Sequence, residues 1–257
     1  MIKIRKNVFE TNSSSTHSLV MAVKSEFDKW TAGEYYYCSS WYSFSEKEAP
    51  EEFKNKFKLR EIGIGCDYGS VNPTTFVPIA LGFDLRQNRW KLIRLECYYH
   101  DPAEEGEKPT TAYYVEQEKL FIEYLKDKYK GIPITANIVD SEATHFCNAL
   151  YNANIQYQEA KKGPGSVDKG VQQLQSLIYK EVFYILKSES IDYFDMNKKP
   201  IYHSKDMSLI EFESYQYDNI KSLSTGQNCY KKELDHSVDA ARYIIDYWQD
   251  IGKCPVI

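Results

Sequence analysis

Over its first 60 residues the chain mixes apolar and polar positions without a steady period: NSSSTHS is followed by EYYYCSSWY and then by the charged stretch SEKEAPEEFKNKFKLRE. This texture predicts an irregular N-terminal appendage over residues 1–60 and a periodic domain over 61–257. From Glu61 the period sharpens. IGIGCDYG places Ile62, Ile64 and Cys66 on one face of a strand that runs into a glycine turn. TTFVPIALGFD and RWKLIRLECYYH are two further strands, separated by a short polar turn, which predicts an antiparallel meander. A helix follows from about Ala112 to Lys130, with Tyr114, Phe121, Tyr124 and Leu125 inward, and Gly131 and Pro133 end it. PITANIVD is a strand, SEATHFCNALYNA a helix, IQYQEAK a fifth strand, and VDKGVQQLQSLIYK a helix capped by Ser166 or Asp168. Near the end, DHSVDAARYIIDYWQDI carries Val238, Ala241, Ile245 and Trp248 at helical spacing.

Three strands, a helix, a strand, a helix, a strand and a helix is the order of an RNase H-like α/β fold, a mixed five-stranded sheet flanked by helices. Composition agrees with a folded chain: 42% apolar residues, 27% charged residues and 22 tyrosines in 257 residues. Six cysteines at 38, 66, 97, 147, 229 and 254 form no pair at zinc spacing, so they read as reduced thiols. No apolar run approaches the roughly 20 residues that span a bilayer, and the charged start lacks a signal peptide's apolar stretch. Use in a cytoplasm, with no membrane, is expected. The net charge of −5 argues against a protein that clamps nucleic acid by bulk electrostatics. Contacts with DNA must be local or supported by a partner, at basic spots such as Lys161 and Lys162, Lys198 and Lys199, or Lys231 and Lys232.

Candidate chemistry centres on carboxylates. Asp67 and Asp140 each end an apolar strand, where α/β sheets build their ligand sites. If the two strands are neighbours, the carboxylates converge across roughly 5 Å, and a divalent cation is the natural relief for facing negative charges. The last helix offers a third arm, because His236 and Asp239 at i and i+3 share one face while Asp235 takes the N-cap position. Three carboxylates suit hard ions, Mg²⁺ or Mn²⁺. Two such ions about 4 Å apart would activate water and stabilise the leaving oxygen of a phosphodiester. Each aspartate taken alone is also an ordinary turn or cap residue, and Gly69 either lets DNA approach the ions or simply makes a turn. The serines beside His17 resemble a nucleophile and base, but short polar clusters of that kind usually make turns and caps.

IGIGCDYGSVNPTTFVPIA resembles the first motif of the nuclease domain of phage large terminases: strand, Asp, aromatic, Gly, then Asn-Pro-Thr. LIRLECYYH is similar to that family's third strand and ANIVDSEATHFCNAL to its Asp-centred second motif, AKKGPGSVDKGVQQLQSLI to its basic loop and following helix. LIEFESYQYD and KKELDHSVDAARY complete the pattern across residues 61 to about 247. The resemblance implies an RNase H-like endonuclease that cuts concatemeric phage DNA during genome packaging in the cytoplasm of a bacterial host. It implies Asp67, Asp140 and Asp239 as ligands of two Mg²⁺ or Mn²⁺ ions, His236 as an accessory catalytic group and Asp235 as a weaker fourth candidate. Lys161 and Lys162 would lie where a phosphate passes. Double-stranded DNA, a terminase ATPase, the small terminase subunit and the portal protein are the implied partners.

The chain also departs from that family. No GxxxxGK[ST] phosphate loop occurs, so an ATPase motor is not expected in these residues. Two other readings stay open: a junction resolvase of the same fold, and a catalytically silent packaging module that keeps the fold for docking.

Overall fold

The computed structural model describes residues 57–104, 108–186, 188–216, 218–225 and 229–255. The serine cluster with His17, the tyrosine run, and all of the expected appendage before residue 57 lie outside the described residues. β1 (Phe57–Asp67) begins four residues ahead of Glu61. It pairs antiparallel with β2 (Thr74–Asp84), which pairs antiparallel with β3 (Arg89–Arg94), so the meander is present.

The expected third strand is broken in two. β2 pairs Ile79 with Arg94 of β3 and Phe76 with Tyr98 of β4 (Tyr98–His100). Residues 95–97 therefore stand opposite Val77 and Pro78 alone. Proline has no N–H to offer a ladder, and one surplus residue beside it is the arrangement of a β-bulge.

α1 (Thr111–Lys128) follows, with the Thr110 hydroxyl accepting from Tyr113 N as an N-cap. It leads into β5 (Ile134–Val139), parallel to β1, and then α2 (Thr144–Asn152). The fifth expected strand contracts to β6 (Gln158–Glu159), parallel to β5. α3 (Ser166–Tyr179) is capped neither by Ser166 nor by Asp168: Gly165, in the left-handed region at φ 75°, holds the N-cap position. Asp168 instead accepts from the Tyr230 hydroxyl at 2.7 Å.

Beyond α3 lie elements absent from the sequence reading: β7 (Phe183–Ile185), β8 (Ile191–Phe194), β9 (Pro200–Tyr202), α4 (Met207–Ser214) and α5 (Asn219–Thr225). The last helix is α6 (His236–Asp250). The mixed α/β class holds, but the sheet has nine strands among the described residues rather than five. Runs of three or four residues are too short to display a period of two, which is why these strands were not legible. Through the sheet the order is β6-β5-β1-β2-β4-β8-β9, with β3 beside β2 and β7 beside β3. Its first part, β6-β5-β1-β2 and then the split third strand, is the RNase H-like arrangement expected.

Each face of the sheet has its own core. Ile62, Ile64, Cys66 and Val139 join Phe121 and Leu125 of α1 and Phe146 of α2. On the opposite face, Ala136 and Ile138 pack with Leu174 of α3 and with Ile244 and Trp248 of α6. No helix among the described residues is long and apolar enough to cross a membrane.

One acid lies inside the first core. Glu118 of α1 is fully buried, its Oε1 accepting from Asn137 Nδ2 at 2.6 Å while Oε2 has no partner among the described residues. Burial pushes its carboxyl up to about 7, against the smaller opposing effect of the Asn137 hydrogen bond. The folded chain thus holds this proton more tightly than the unfolded chain. That stabilisation is complete below about pH 4.5 and disappears as the pH rises through about 7. Glu118→Gln, which keeps the shape without the charge, is expected to raise stability on the order of 2 kcal/mol at pH 8 and by far less at pH 4. Urea denaturation of both proteins across that range measures the difference.

Candidate active site

Strand alternation puts Ile62, Ile64 and Cys66 of β1 on one face and Gly63, Gly65 and Asp67 on the other. The second face is covered by α6, and glycine is what permits it. A Cβ on Gly65 would lie 1.8 Å from the Ala240 carbonyl oxygen, and one on Gly63 would lie 2.4 Å from the Ile244 side chain. The backbone of α6 therefore rests directly on β1, with its first turn over the strand's carboxyl end.

Asp67 is the last residue of β1, and Asp140 follows β5 at once, its N–H donating to Cys66 O at 3.1 Å. The two aspartates thus stand side by side at the ends of adjacent parallel strands. From α6, His236 Nδ1 lies 2.8 Å from Asp67 Oδ2, and Tyr243, two turns on, donates its hydroxyl to Asp140 Oδ2 at 3.1 Å. Asp239, one turn after Asp235, is buried beside them. Burial raises the Asp67 carboxyl above its ordinary range. His236 opposes that shift, and the charges of Asp239 and Asp140 add to it. Burial would lower the His236 imidazole, but the hydrogen bond and charge of Asp67 outweigh it and hold the ring above its usual value.

Each carboxylate also meets a cation from the chain. Asp140 Oδ1 pairs with Lys162 at 2.6 Å, while its Oδ2 is held by Tyr243. Asp239 Oδ1 is held by Arg242 at 2.9 Å, while its Oδ2 faces Lys232 at 3.4 Å. The two aspartates share a pattern: a buried partner on α6 fixes one oxygen, and a more exposed loop lysine takes the other. The Tyr243 ring lies beneath both Lys162 and Arg242, at 5.6 and 5.3 Å. Burial and the charges of Asp67, Asp239 and Asp140 push its hydroxyl well up, so it stays a hydrogen-bond donor.

Several expectations need adjustment. Asp235 occupies the N-cap position of α6 but makes no capping bond, and its side chain pairs with Lys232 at 3.0 Å. Capping is supplied instead by Glu211 of α4, which accepts from Ser237 N at 2.5 Å and from the Tyr99 hydroxyl at 3.0 Å. Gly69 makes a turn: its N–H and C=O both bond the Thr74 hydroxyl, and a Cβ there would lie 2.3 Å from Asn72 O. Of the two loop lysines, only Lys162 reaches the carboxylates; Lys161 pairs with Asp250 at 2.7 Å. Arg242 and Tyr243 escaped the sequence reading although their i+3 and i+4 spacing from Asp239 was visible. Glu211 carried no comparable signal, and Lys232 was expected only as half of a local basic spot.

Oxygen donors of this kind suit Mg²⁺ or Mn²⁺. A divalent ion would compensate the charges that Lys162 and Lys232 now compensate. Among the described residues, no three His, Cys, Asp or Glu side chains are already grouped as one ion's ligand set. A metal would have to draw the carboxylates together and take oxygens from the lysines.

No protein-family model matches the chain, and no curated protein matches it. Solved structures do. The large terminase of a thermophilic bacteriophage, in complex with ATP-γ-S, superposes with a TM-score of 0.54 at 25% identity, over 74% of this chain and 40% of that one. The chain has the fold of part of a phage large terminase. Another crystal form of the same terminase gives a TM-score of 0.55 at 20% identity, over 80% of this chain and 52% of that one. A more remote neighbour, the large terminase nuclease of the thermophilic phage G20c, gives 0.44 at 13% identity, over 74% and 84% of the two chains. This terminase-like chain spans about 40–52% of the length of the first terminase it matches.

In this terminase-like fold the seat of α6 on β1 decides whether the site forms. Gly65→Ala places a methyl group against backbone that cannot rotate away, so α6 must shift. The expected cost is about 3 kcal/mol or more, the upper end for overpacking. A lower urea midpoint, with weakened amide protection in α6, is the result to look for.

Proposed function

We propose that the chain is a metal-dependent DNA endonuclease of a phage packaging machine, with Asp67, Asp140 and Asp239 as the metal-binding carboxylates. The observation that carries the reading is the meeting of three buried or half-buried aspartates from β1, the end of β5 and α6 at one end of the sheet. A terminase-like fold and the resemblance of the six sequence segments support it. When bound, two Mg²⁺ or Mn²⁺ ions would activate water and stabilise the leaving oxygen of the phosphodiester.

The chain's own residues prepare that chemistry. Tyr243 and Arg242 fix one oxygen each of Asp140 and Asp239, so the remaining oxygens are oriented in advance. Lys162 and Lys232 are the displaceable partners, and once released they offer positive charge to a DNA phosphate. His236, bonded to Asp67 through Nδ1, orients that carboxylate and can move a proton at its other ring nitrogen. Lys161, exposed and paired only at the surface, is a weaker phosphate contact.

A net charge of −5 leaves little general attraction for DNA, so cleavage by the chain alone should be slow, salt-sensitive and indifferent to ATP. A separate ATPase, the small terminase subunit or the portal would hold double-stranded DNA near the site inside the bacterial host. The nuclease domain expected over residues 61–257 would begin with β1 at Phe57, and the residues before it would form the appendage. Two alternatives make different demands. A junction resolvase prefers branched over linear DNA, and a silent docking module cuts neither.

Asp140→Asn retains the Tyr243 contact and leaves Lys162 its neighbour Glu142, 3.2 Å away. The variant should fold. Its plasmid nicking in Mn²⁺ or Mg²⁺ is expected to fall by more than about 100-fold, beyond the 10–100-fold typical of losing an outer partner. EDTA should abolish nicking by the unaltered chain. Nicking at the unaltered rate by Asp140→Asn, or nicking that survives EDTA, would remove these carboxylates from the chemistry.

A further inference from the structure

Away from the carboxylates, an open groove of about 1150 Å³ runs between β5, α1 and the segment joining α2 to β6. Its floor is a strand edge. β6 pairs with β5 only at Ile138 and Val139, so among the described residues no strand lies beside Ile134 to Asn137 on the side away from β1. The direction of the backbone there follows from its neighbours. Asp140 N donates to Cys66 O of β1, whereas Val139 O accepts from Ala160 N on the opposite side. Residues two apart on a strand share a direction, so Thr135 and Asn137 aim their backbone groups away from β1; the Ile138–Gln158 pairing already takes the Asn137 carbonyl, which leaves the Thr135 groups and the Asn137 N–H at this edge.

Two buried polar atoms are left over at this place. Asn137, 6% exposed, spends its amide N–H groups on Glu118 and on Gln156 O, while Asn137 Oδ1 and Glu118 Oε2 have no partner among the described residues. The walls combine Ile122 of α1 with Ile155, Tyr157 and the exposed Tyr151. Charge on the α1 wall is uneven: Glu123 is met by Lys198 at 3.7 Å, while Lys126 forms no ion pair among the described residues.

We propose that this groove binds an extended peptide segment of a partner protein, which adds as a strand along β5 and sets an acidic residue against Lys126. Strand addition suits the floor, because main-chain hydrogen bonds supply affinity and alternate side chains enter wall pockets. Groove and carboxylates are separate sites, so failure of this proposal leaves the nuclease reading standing, and the reverse.

The test is selection of displayed nine-residue peptides on the full chain, with synthetic copies of the enriched peptides as probes. The counter-target is the double variant Lys126→Glu, Tyr151→Glu, both surface positions outside the carboxylate site. The expected result is enrichment of acid-containing peptides that bind the double variant about tenfold more weakly or worse and slow amide exchange over residues 134–137. DNA nicking by the double variant should be unchanged. Failure to enrich any peptide, equal binding to the double variant, or protection confined to another part of the chain would overturn the proposal.

Discussion

The candidate site depends on one steric constraint: a helix backbone in contact with a strand backbone. Gly63 and Gly65 remove the side chains that would hold α6 off β1, and Ala240 and Ile244 fill the space. Asp67 is the next residue on the same face of the strand. Its neighbours on α6 follow from helical spacing, with His236 one turn before Ala240 and Asp239 beside it. The core on this face, with Ile244, Ile245 and Trp248 buried, keeps the helix seated. Glu211, reaching from α4 to the N-terminal turn of α6, fixes its start.

The close approach brings an electrostatic problem. Three aspartates gather where water is largely excluded, and their mutual repulsion must be offset. The chain answers with cations of two kinds. Arg242 is buried and belongs to the same helix, so it moves only with Asp239. Lys162 and Lys232 come from loops and remain partly exposed, and a lysine is a compact charge on a flexible stem. A site that exchanges loop lysines for metal ions would be stable without metal and responsive to it. This arrangement would also let a chain of net charge −5 offer positive charge to a phosphate at one place.

What the sequence made legible was local. Strand alternation in IGIGCDYG and PITANIVD, and helical spacing in DHSVDAARY, were enough to expect Asp67, Asp140, His236 and Asp239 at one end of the sheet, where the structure brings them. Periods of 2 and 3.6 carry such information directly. Contacts over long separations were not legible: Glu211 with Ser237, Lys162 with Asp140, and the short strands β7, β8 and β9. The break in the third strand was half-visible, since Pro78 stands in the middle of β2, but only the pairing register shows that residues 95–97 bulge opposite it. Asp235 shows the opposite error, a residue in the right position for a cap whose side chain serves Lys232 instead.

The most direct measurement is anomalous scattering from crystals of the chain soaked in Mn²⁺. The account predicts peaks between Asp67, Asp140 and Asp239, with Lys162 drawn off Asp140 Oδ1 while Tyr243 keeps its bond to Oδ2. Crystals that bind Mn²⁺ elsewhere, or not at all, with Lys162 still paired to Asp140, would contradict it.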